Sequence, residues 1–245
     1  DRLRSRGLGD VYKRQPLYSQ GGGIFRYPDP DTGRLRYYWY GVRYAEAVRY
    51  REDPSVTYPA CTFEAVTCYS SDDLINWYYE GDVLTREEVD RYGRAGWVGR
   101  MGVAYLEAWN QYVLVVQHDN GVLFALSHTP NGRFTWHRRI TMEKIIGTPN
   151  TGDQTVFVDE DTRKPYLIYS YGRGRNRIYV SEIGIRDGQV DLLDCTQVFK
   201  GAGREGNCLF KYEGRYYMCA SNLYGWDSSF AYYMVCLLYT SDAAD

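Results

Sequence analysis

At 245 residues, with 29 basic against 31 acidic side chains and a formal net charge of −2, the chain carries no electrostatic footprint for nucleic acid or an anionic membrane. No apolar run approaches the roughly 20 residues needed to span a bilayer, and the length suits one large domain or part of one. Tyrosine supplies 26 residues and glycine 25, while Ala and Leu form no long amphipathic stripe, so strands are favoured over helices.

The first segment is expected to be foreign to the fold. Asp10-Val11-Tyr12-Lys13-Arg14-Gln15 can be encoded by GATGTGTATAAGAGACAG, and the reverse complement of that string, read one base out of frame, gives Cys236-Leu237-Leu238-Tyr239-Thr240-Ser241. One DNA string on opposite strands at two ends marks a fragment cut and tagged by a transposase. Residues 1–15 and 236–245 are therefore read as translated adapter and set aside. Residues 16–235 are expected to be an open-ended piece of a longer gene.

A repeated unit then runs along the chain: an apolar strand, a short turn and an aromatic strand. It begins with Gly23-Ile24-Phe25-Arg26-Tyr27, which leads through Pro28 to Arg34 into Leu35-Arg36-Tyr37-Tyr38-Trp39-Tyr40-Gly41. It recurs as Gly102 to Tyr105 with Gln111 to Val115, as Thr155 to Val158 with Pro165 to Tyr169, and as Asn207 to Tyr212 with Arg215 to Cys219. Further strands follow at Val66 to Ser71 and Gly121 to Ser127, each with a turn-rich corner after it. About four strands per copy is the size of a propeller blade. The expected fold is an all-β, five-bladed β-propeller, incomplete here, with about four blades present.

In a propeller the first strand of each blade lies beside the axis, so residues just before those strands converge at one mouth of the channel. Gln20 to Gly22, Arg100, Asp153 and Glu205 hold those positions. Glycosidic hydrolysis needs a carboxylic acid to protonate the leaving oxygen, and commonly a second carboxylate. A neighbouring negative charge keeps such an acid protonated. Glu205 fits the acid, and Asp153 fits the carboxylate that raises its pKa and orients it.

Glu205-Gly206-Asn207-Cys208-Leu209-Phe210-Lys211, followed by Gly214-Arg215-Tyr216-Tyr217-Met218, resembles the general-acid hairpin of glycoside hydrolase family 43. Asp153-Gln154-Thr155-Val156-Phe157-Val158-Asp159-Glu160-Asp161 with Pro165-Tyr166-Leu167 is similar to the segment bearing that family's pKa-modulating aspartate. Ser70 to Trp77 looks like its blade-one corner. The resemblance implies a glycosidase acting with inversion on an oligo- or polysaccharide, with no organic cofactor, although some members hold a cation in the channel. It also implies a water-activating group about 6.5–9.5 Å from the acid. The family's usual base is an aspartate in blade one. Here Gln20-Gly21-Gly22-Gly23-Ile24 offers no carboxylate, and members resembling exo-β-1,3-galactanases carry a similar glycine run after a histidine, where this chain has Gln20. Gln20 and a residue of a further blade are both candidates for the base.

Each remaining candidate has a plainer alternative. Glu205 could pair with an arginine and Asp153 could be a turn carboxylate. Arg100 either clamps a sugar hydroxyl or neutralises Asp153. Trp226 offers a platform for a pyranose face or packs in the core, and the basic loop Arg173 to Arg177 either meets an acidic glycan or is a solvated turn. Tyr37, Tyr38, Tyr216 and Tyr217 are expected in the core. His118, His128 and His137 lack metal-ligand spacing, and no metal site is expected. Cys61, Cys68, Cys195, Cys208 and Cys219 show no C-x-x-C spacing. They are expected to be buried free thiols, with a Cys61–Cys68 bridge as the alternative.

Two functions from different classes follow. One is an exo-acting hydrolase releasing terminal galactose or arabinose ahead of xylose from plant-type glycan. The other is a catalytically silent glycan-binding propeller, with a scaffold lacking any carbohydrate ligand a third option. Either of the first two places the protein in a secreted or periplasmic setting.

Overall fold

A computed structural model describes residues 16–93, 96–225 and 227–236. Of the segments assigned to adapter, residues 1–15 and 236–245, all but Cys236 lie outside the described residues, as does Trp226, and Cys236 closes the last described strand.

The chain is all-β and of the β-propeller class, with four antiparallel blade-type sheets. The first holds β1 (Gln20–Pro28), β2 (Leu35–Tyr44), β3 (Phe63–Ser71) and β4 (Tyr78–Thr85) in chain order. The second holds β5 (Val98–Leu106), β6 (Gln111–His118), β7 (Gly121–Ser127) and β8 (Thr135–Ile140). In the third, β9 (Thr151–Val158), β10 (Pro165–Tyr171), β11 (Arg177–Arg186) and β12 (Gln189–Lys200) repeat the order. The fourth has β13 (Glu205–Tyr212), β14 (Arg215–Ser221) and β15 (Ala231–Cys236). Three short helices, α1 (Ala47–Glu52), α2 (Arg86–Arg91) and α3 (Glu143–Ile146), lie in the connections. No helix among the described residues is long and apolar enough to cross a membrane.

The chain divides into two compact units, one of residues 1–119 and 123–137, the other of residues 120–122 and 138–245. In the first unit a buried core of Val42, Val66, Val103, Leu114, Leu123 and Phe134 joins the first two sheets. Its tyrosines explain their abundance. Tyr27, Tyr40 and Tyr44 of the first sheet donate their hydroxyls to the carbonyls of Val103 (2.7 Å), Pro130 (2.6 Å) and Val98 (2.6 Å). Each ring buries apolar area while its polar tip finds a partner. Burial pushes the Tyr44 phenol up to about 12, and Tyr27 and Tyr40 higher still, so all three remain donors at neutral pH.

In the second unit Ile168, Ile178, Met218 and Ala220 form the core between the third and fourth sheets. The β9–β10 connection repeats the β1–β2 connection. Asp29 Oδ1 accepts the amides of Asp31 (3.2 Å) and Thr32 (2.9 Å), and Asp159 Oδ1 accepts those of Asp161 (2.8 Å) and Thr162 (3.0 Å). The Thr32 hydroxyl and amide hold the Asp29 carboxyl below its usual range, with help from Arg36. At Asp159 burial pushes upward, but the Tyr216 hydroxyl, the Thr162 and Asp161 amides and Lys211 outweigh it, and this carboxyl also lies low.

Two expectations are corrected. The five cysteines are free, but only Cys68 is buried, while Cys61, Cys195 and Cys208 are exposed. Cys68 faces the first unit's core from β3, whereas Cys61 sits exposed in the loop before that strand. Of the four tyrosines expected in the core only Tyr38 is fully buried. Tyr37, Tyr216 and Tyr217 are half-buried, with Tyr217 stacked on Phe210.

Candidate functional site

Each sheet's first strand carries the same irregularity. Gly21 and Gly22 lie between the pairs Gln20–Val42 and Gly23–Tyr40, facing Gly41 alone. Gly99 and Arg100 likewise face Gln117, Gly152 and Asp153 face Ser170, and Gly206 and Asn207 face Ala220. These are β-bulges, in which two residues oppose one and the strand is locally re-aimed. Glycine opens all four, and Gly21 (φ +70) and Gly206 (φ +63) adopt the left-handed backbone that favours it.

The bulges revise the expected geometry. The candidate residues lie within the first strands and not ahead of them. Asp153 is also not the counterpart of Glu205. It occupies the second bulge position, as do Gly22, Arg100 and Asn207, whereas Glu205 occupies the position before the bulge, as do Gln20, Val98 and Thr151. Gln20 in the first sheet thus matches Glu205 in the fourth.

In the second unit the structure joins Asp153 to the strand of Glu205. Asp153 Oδ2 accepts the amide hydrogen of Gly206 at 2.9 Å, and its carbonyl accepts Asn207 Nδ2 at 2.9 Å. The same Nδ2 donates to Ser170 Oγ at 2.9 Å, and that hydroxyl donates to the Arg204 carbonyl at 2.9 Å. Ser170 and Asn207 are buried, and the bond between them is shielded from water, while the Gly206–Asp153 bond is exposed; together the bonds tie β9 and β10 to both sides of Glu205. The Glu205 carbonyl accepts the Ser221 hydroxyl at 3.2 Å, and its side chain is half-buried.

Arg175 is the partner that sequence reasoning did not place. Its Nε lies 3.8 Å from Glu205 Oε2. The loop read as either a glycan contact or a solvated turn is divided, since Arg177 lies over the Tyr171 ring at 4.9 Å. The signal was faint: Arg175 holds a left-handed backbone (φ 48) in a run of glycines and arginines. Ser170 falls one residue past the expected strand Pro165 to Tyr169, and Asn207 entered only as a residue of the fourth copy's first strand and of the Glu205 motif.

In the first unit Gln20 is exposed and Arg100 half-buried. The Arg100 amide donates to Gln117 Oε1 at 3.2 Å, and its stem passes beside Gly21, where an added Cβ would lie 3.7 Å from Arg100 Cδ. Among the described residues no cluster of His, Cys, Asp and Glu suits a metal ion. The buried His118 packs edge-on against Trp136 at 6.1 Å.

The family model for glycosyl hydrolases family 43 matches residues 27–241. The chain belongs to glycosyl hydrolase family 43. A β-xylosidase from Formosa agariphila is 28% identical over 169 residues, covering 60% of this chain and 27% of that protein. An exo-β-1,3-galactanase from Clostridium thermocellum superposes with a TM-score of 0.70 at 28% identity, over 93% of this chain and 47% of the other. An exo-β-1,3-galactanase from Phanerochaete chrysosporium, solved with β-1,3-galactotriose, gives a TM-score of 0.70 at 21% identity, over 93% and 49%. This family 43 chain thus spans about a quarter of the xylosidase and about half of each galactanase.

Proposed function

We propose that this family 43 protein is an exo-acting, inverting glycoside hydrolase that releases terminal galactose or arabinose, with xylose the weaker candidate, from plant-type polysaccharide. Glu205 is its general acid and Asp153 the carboxylate that orients it. The observation that carries this reading is the bond from the Gly206 amide to Asp153 Oδ2 at 2.9 Å, which fixes the backbone one residue past Glu205. A general acid contributes about 10²–10⁴-fold when held within reach of the leaving oxygen, and this bond supplies that constraint.

Inversion requires a water held on the opposite face of the sugar. The candidates for the group that holds this water are Gln20, whose amide oxygen can accept a hydrogen bond, and a residue of a further blade. Arg100, in β5, is the candidate donor to a sugar hydroxyl, and Trp226, which lies outside the described residues, the candidate cover for a pyranose face. The likeness to a galactanase at 28% identity favours galactose, and the shorter match to a β-xylosidase keeps xylose in view. Action on polysaccharide places the protein outside the cytoplasm, secreted or periplasmic.

The absence of a carboxylate from the first bulge, Gly21-Gly22, favours one second reading, a glycan-binding propeller without turnover. Anomeric proton NMR of digests of arabinogalactan, pectic galactan, arabinan and xylan separates the two. Release of a monosaccharide with inverted configuration supports the hydrolase. Saturable sugar binding with no product after long incubation supports the silent module.

A further inference from the structure

Arg175 is built into the second unit with more constraints than a loop arginine needs. Its carbonyl accepts the Arg204 amide at 2.8 Å, one residue before Glu205. Its backbone is left-handed (φ 48), a conformation unfavourable for a non-glycine residue. Its stem crosses Gly152, where an added Cβ would lie 2.9 Å from Arg175 Cγ and 3.2 Å from Nε. The glycine that opens the third bulge therefore leaves the channel through which the guanidinium reaches Glu205. Arg175 Nε is buried with no hydrogen-bond acceptor of its own, and the nearest carboxylate oxygen is Glu205 Oε2, 3.8 Å away. A buried donor without an acceptor is costly, and a shift of under an ångström in the Glu205 side chain would satisfy it.

We infer that Arg175 is the positioning residue for the Glu205 carboxyl group, its Nε–H donating to Oε2 over Gly152 so that the other carboxyl oxygen, which carries the proton, meets the glycosidic oxygen. The inference rests on the reading of Glu205 as the general acid. Asp153 fixes the backbone beside Glu205 from β9, and Arg175 fixes the side chain from the β10–β11 connection, so the acid is located at two points. Misplacing a reacting group by about 1 Å can cost about 10²-fold in rate, which sets the scale expected for loss of the arginine.

The test exploits leaving-group chemistry. A natural glycan leaves as a poor alkoxide and needs a proton from the acid, whereas a 2,4-dinitrophenyl glycoside leaves unaided. Wild type, Glu205→Gln, Arg175→Met, Arg175→Lys and the Glu205→Gln/Arg175→Met double variant are compared on both substrates. Arg175→Met is expected to lose about 10²-fold in kcat on the glycan, with KM little changed and less than threefold loss on the dinitrophenyl glycoside. Lysine is expected to restore at least tenfold, and the double variant to be no slower than Glu205→Gln alone, because residues acting as a unit are non-additive. Equal loss on both substrates, or losses that multiply in the double variant, would overturn the inference. If Glu205→Gln itself retains full activity on the glycan, the general-acid reading falls and this inference with it. If Glu205→Gln behaves as an acid variant and Arg175→Met does not, the inference alone falls. Should Arg175→Met fail to fold, Arg175→Gln keeps the stem and carries the same comparison.

Discussion

Asp153 reaches across from β9 to accept the Gly206 amide through Oδ2 at 2.9 Å, so a carboxylate in one sheet fixes the backbone beside Glu205 in the next. Removing that acceptor leaves the amide and the left-handed Gly206 turn without their tether. Asp153→Ala is expected to lower kcat by about 10²-fold and to lower Tm as well. Asp153→Asn keeps an acceptor for the amide and is expected to retain Tm while still losing activity. Calorimetry and kcat on one preparation check the split, and an Ala variant matching wild type in both would contradict the tether.

Glycine in the first bulge is a steric requirement. A Cβ on Gly22 would sit 1.6 Å from the Tyr40 carbonyl oxygen, so Gly22→Ala is expected to cost about 3 kcal/mol or to prevent folding. Gly33 has a left-handed backbone (φ +69) with nothing within 4 Å, and Gly33→Ala is expected to cost only about 1 kcal/mol. Denaturant midpoints of the two variants give the comparison, and equal shifts would remove the steric argument.

The tyrosine hydroxyls of the first unit are structural donors. Tyr27→Phe strips the Val103 carbonyl of its 2.7 Å partner in a buried setting, an expected loss of about 1–3 kcal/mol. Tyr212→Phe, at a side chain 60% exposed, is expected to stay within about 0.5 kcal/mol of wild type. Urea unfolding checks both, and a neutral Tyr27→Phe would show that the ring, not its hydroxyl, supplies the stabilisation.

Acid should loosen the turns at Asp29 and Asp159. Both carboxyls lie below their ordinary range when folded, Asp29 through the Thr32 hydroxyl and amide, Asp159 because its hydrogen bonds outweigh burial. A depressed folded-state value contributes stability that is present above the unfolded value, about 3.9, and lost as pH falls through the folded one. Stability should therefore decline below about pH 4. The Asp29→Asn/Asp159→Asn double variant is expected to be less stable at pH 7 with a flatter acid limb. An unchanged acid limb would assign acid sensitivity to other carboxylates.

Much of this was legible in the sequence. The apolar–turn–aromatic repeat marked the blade hairpins because strand alternation and turn chemistry are local, and the family motifs around Asp153 and Glu205 lie on those hairpins. The bulges were not legible as such. Their one trace is a glycine near the start of each first strand, at Gly21, Gly99, Gly152 and Gly206, and without the cross-strand register nothing distinguishes a bulge glycine from a turn glycine. The two-residue offset between Asp153 and Glu205 was hidden for that reason. Arg175 was obscured differently, because its role depends on a left-handed backbone and on the space left by Gly152, 23 residues earlier in the chain. Burial of Tyr38 but not Tyr37 or Tyr217 follows from which sheet face meets a neighbour, which alternation alone does not fix.

The most direct test of the central claim is Glu205→Gln. Glutamine keeps the size of the side chain and cannot serve as a proton donor of carboxylic strength. Turnover of the glycan that wild type degrades is followed by monosaccharide release, and affinity for the released sugar by titration calorimetry. The account predicts that release falls by about 10²–10⁴-fold while affinity stays within threefold of wild type. Monosaccharide release at the wild-type rate would contradict it.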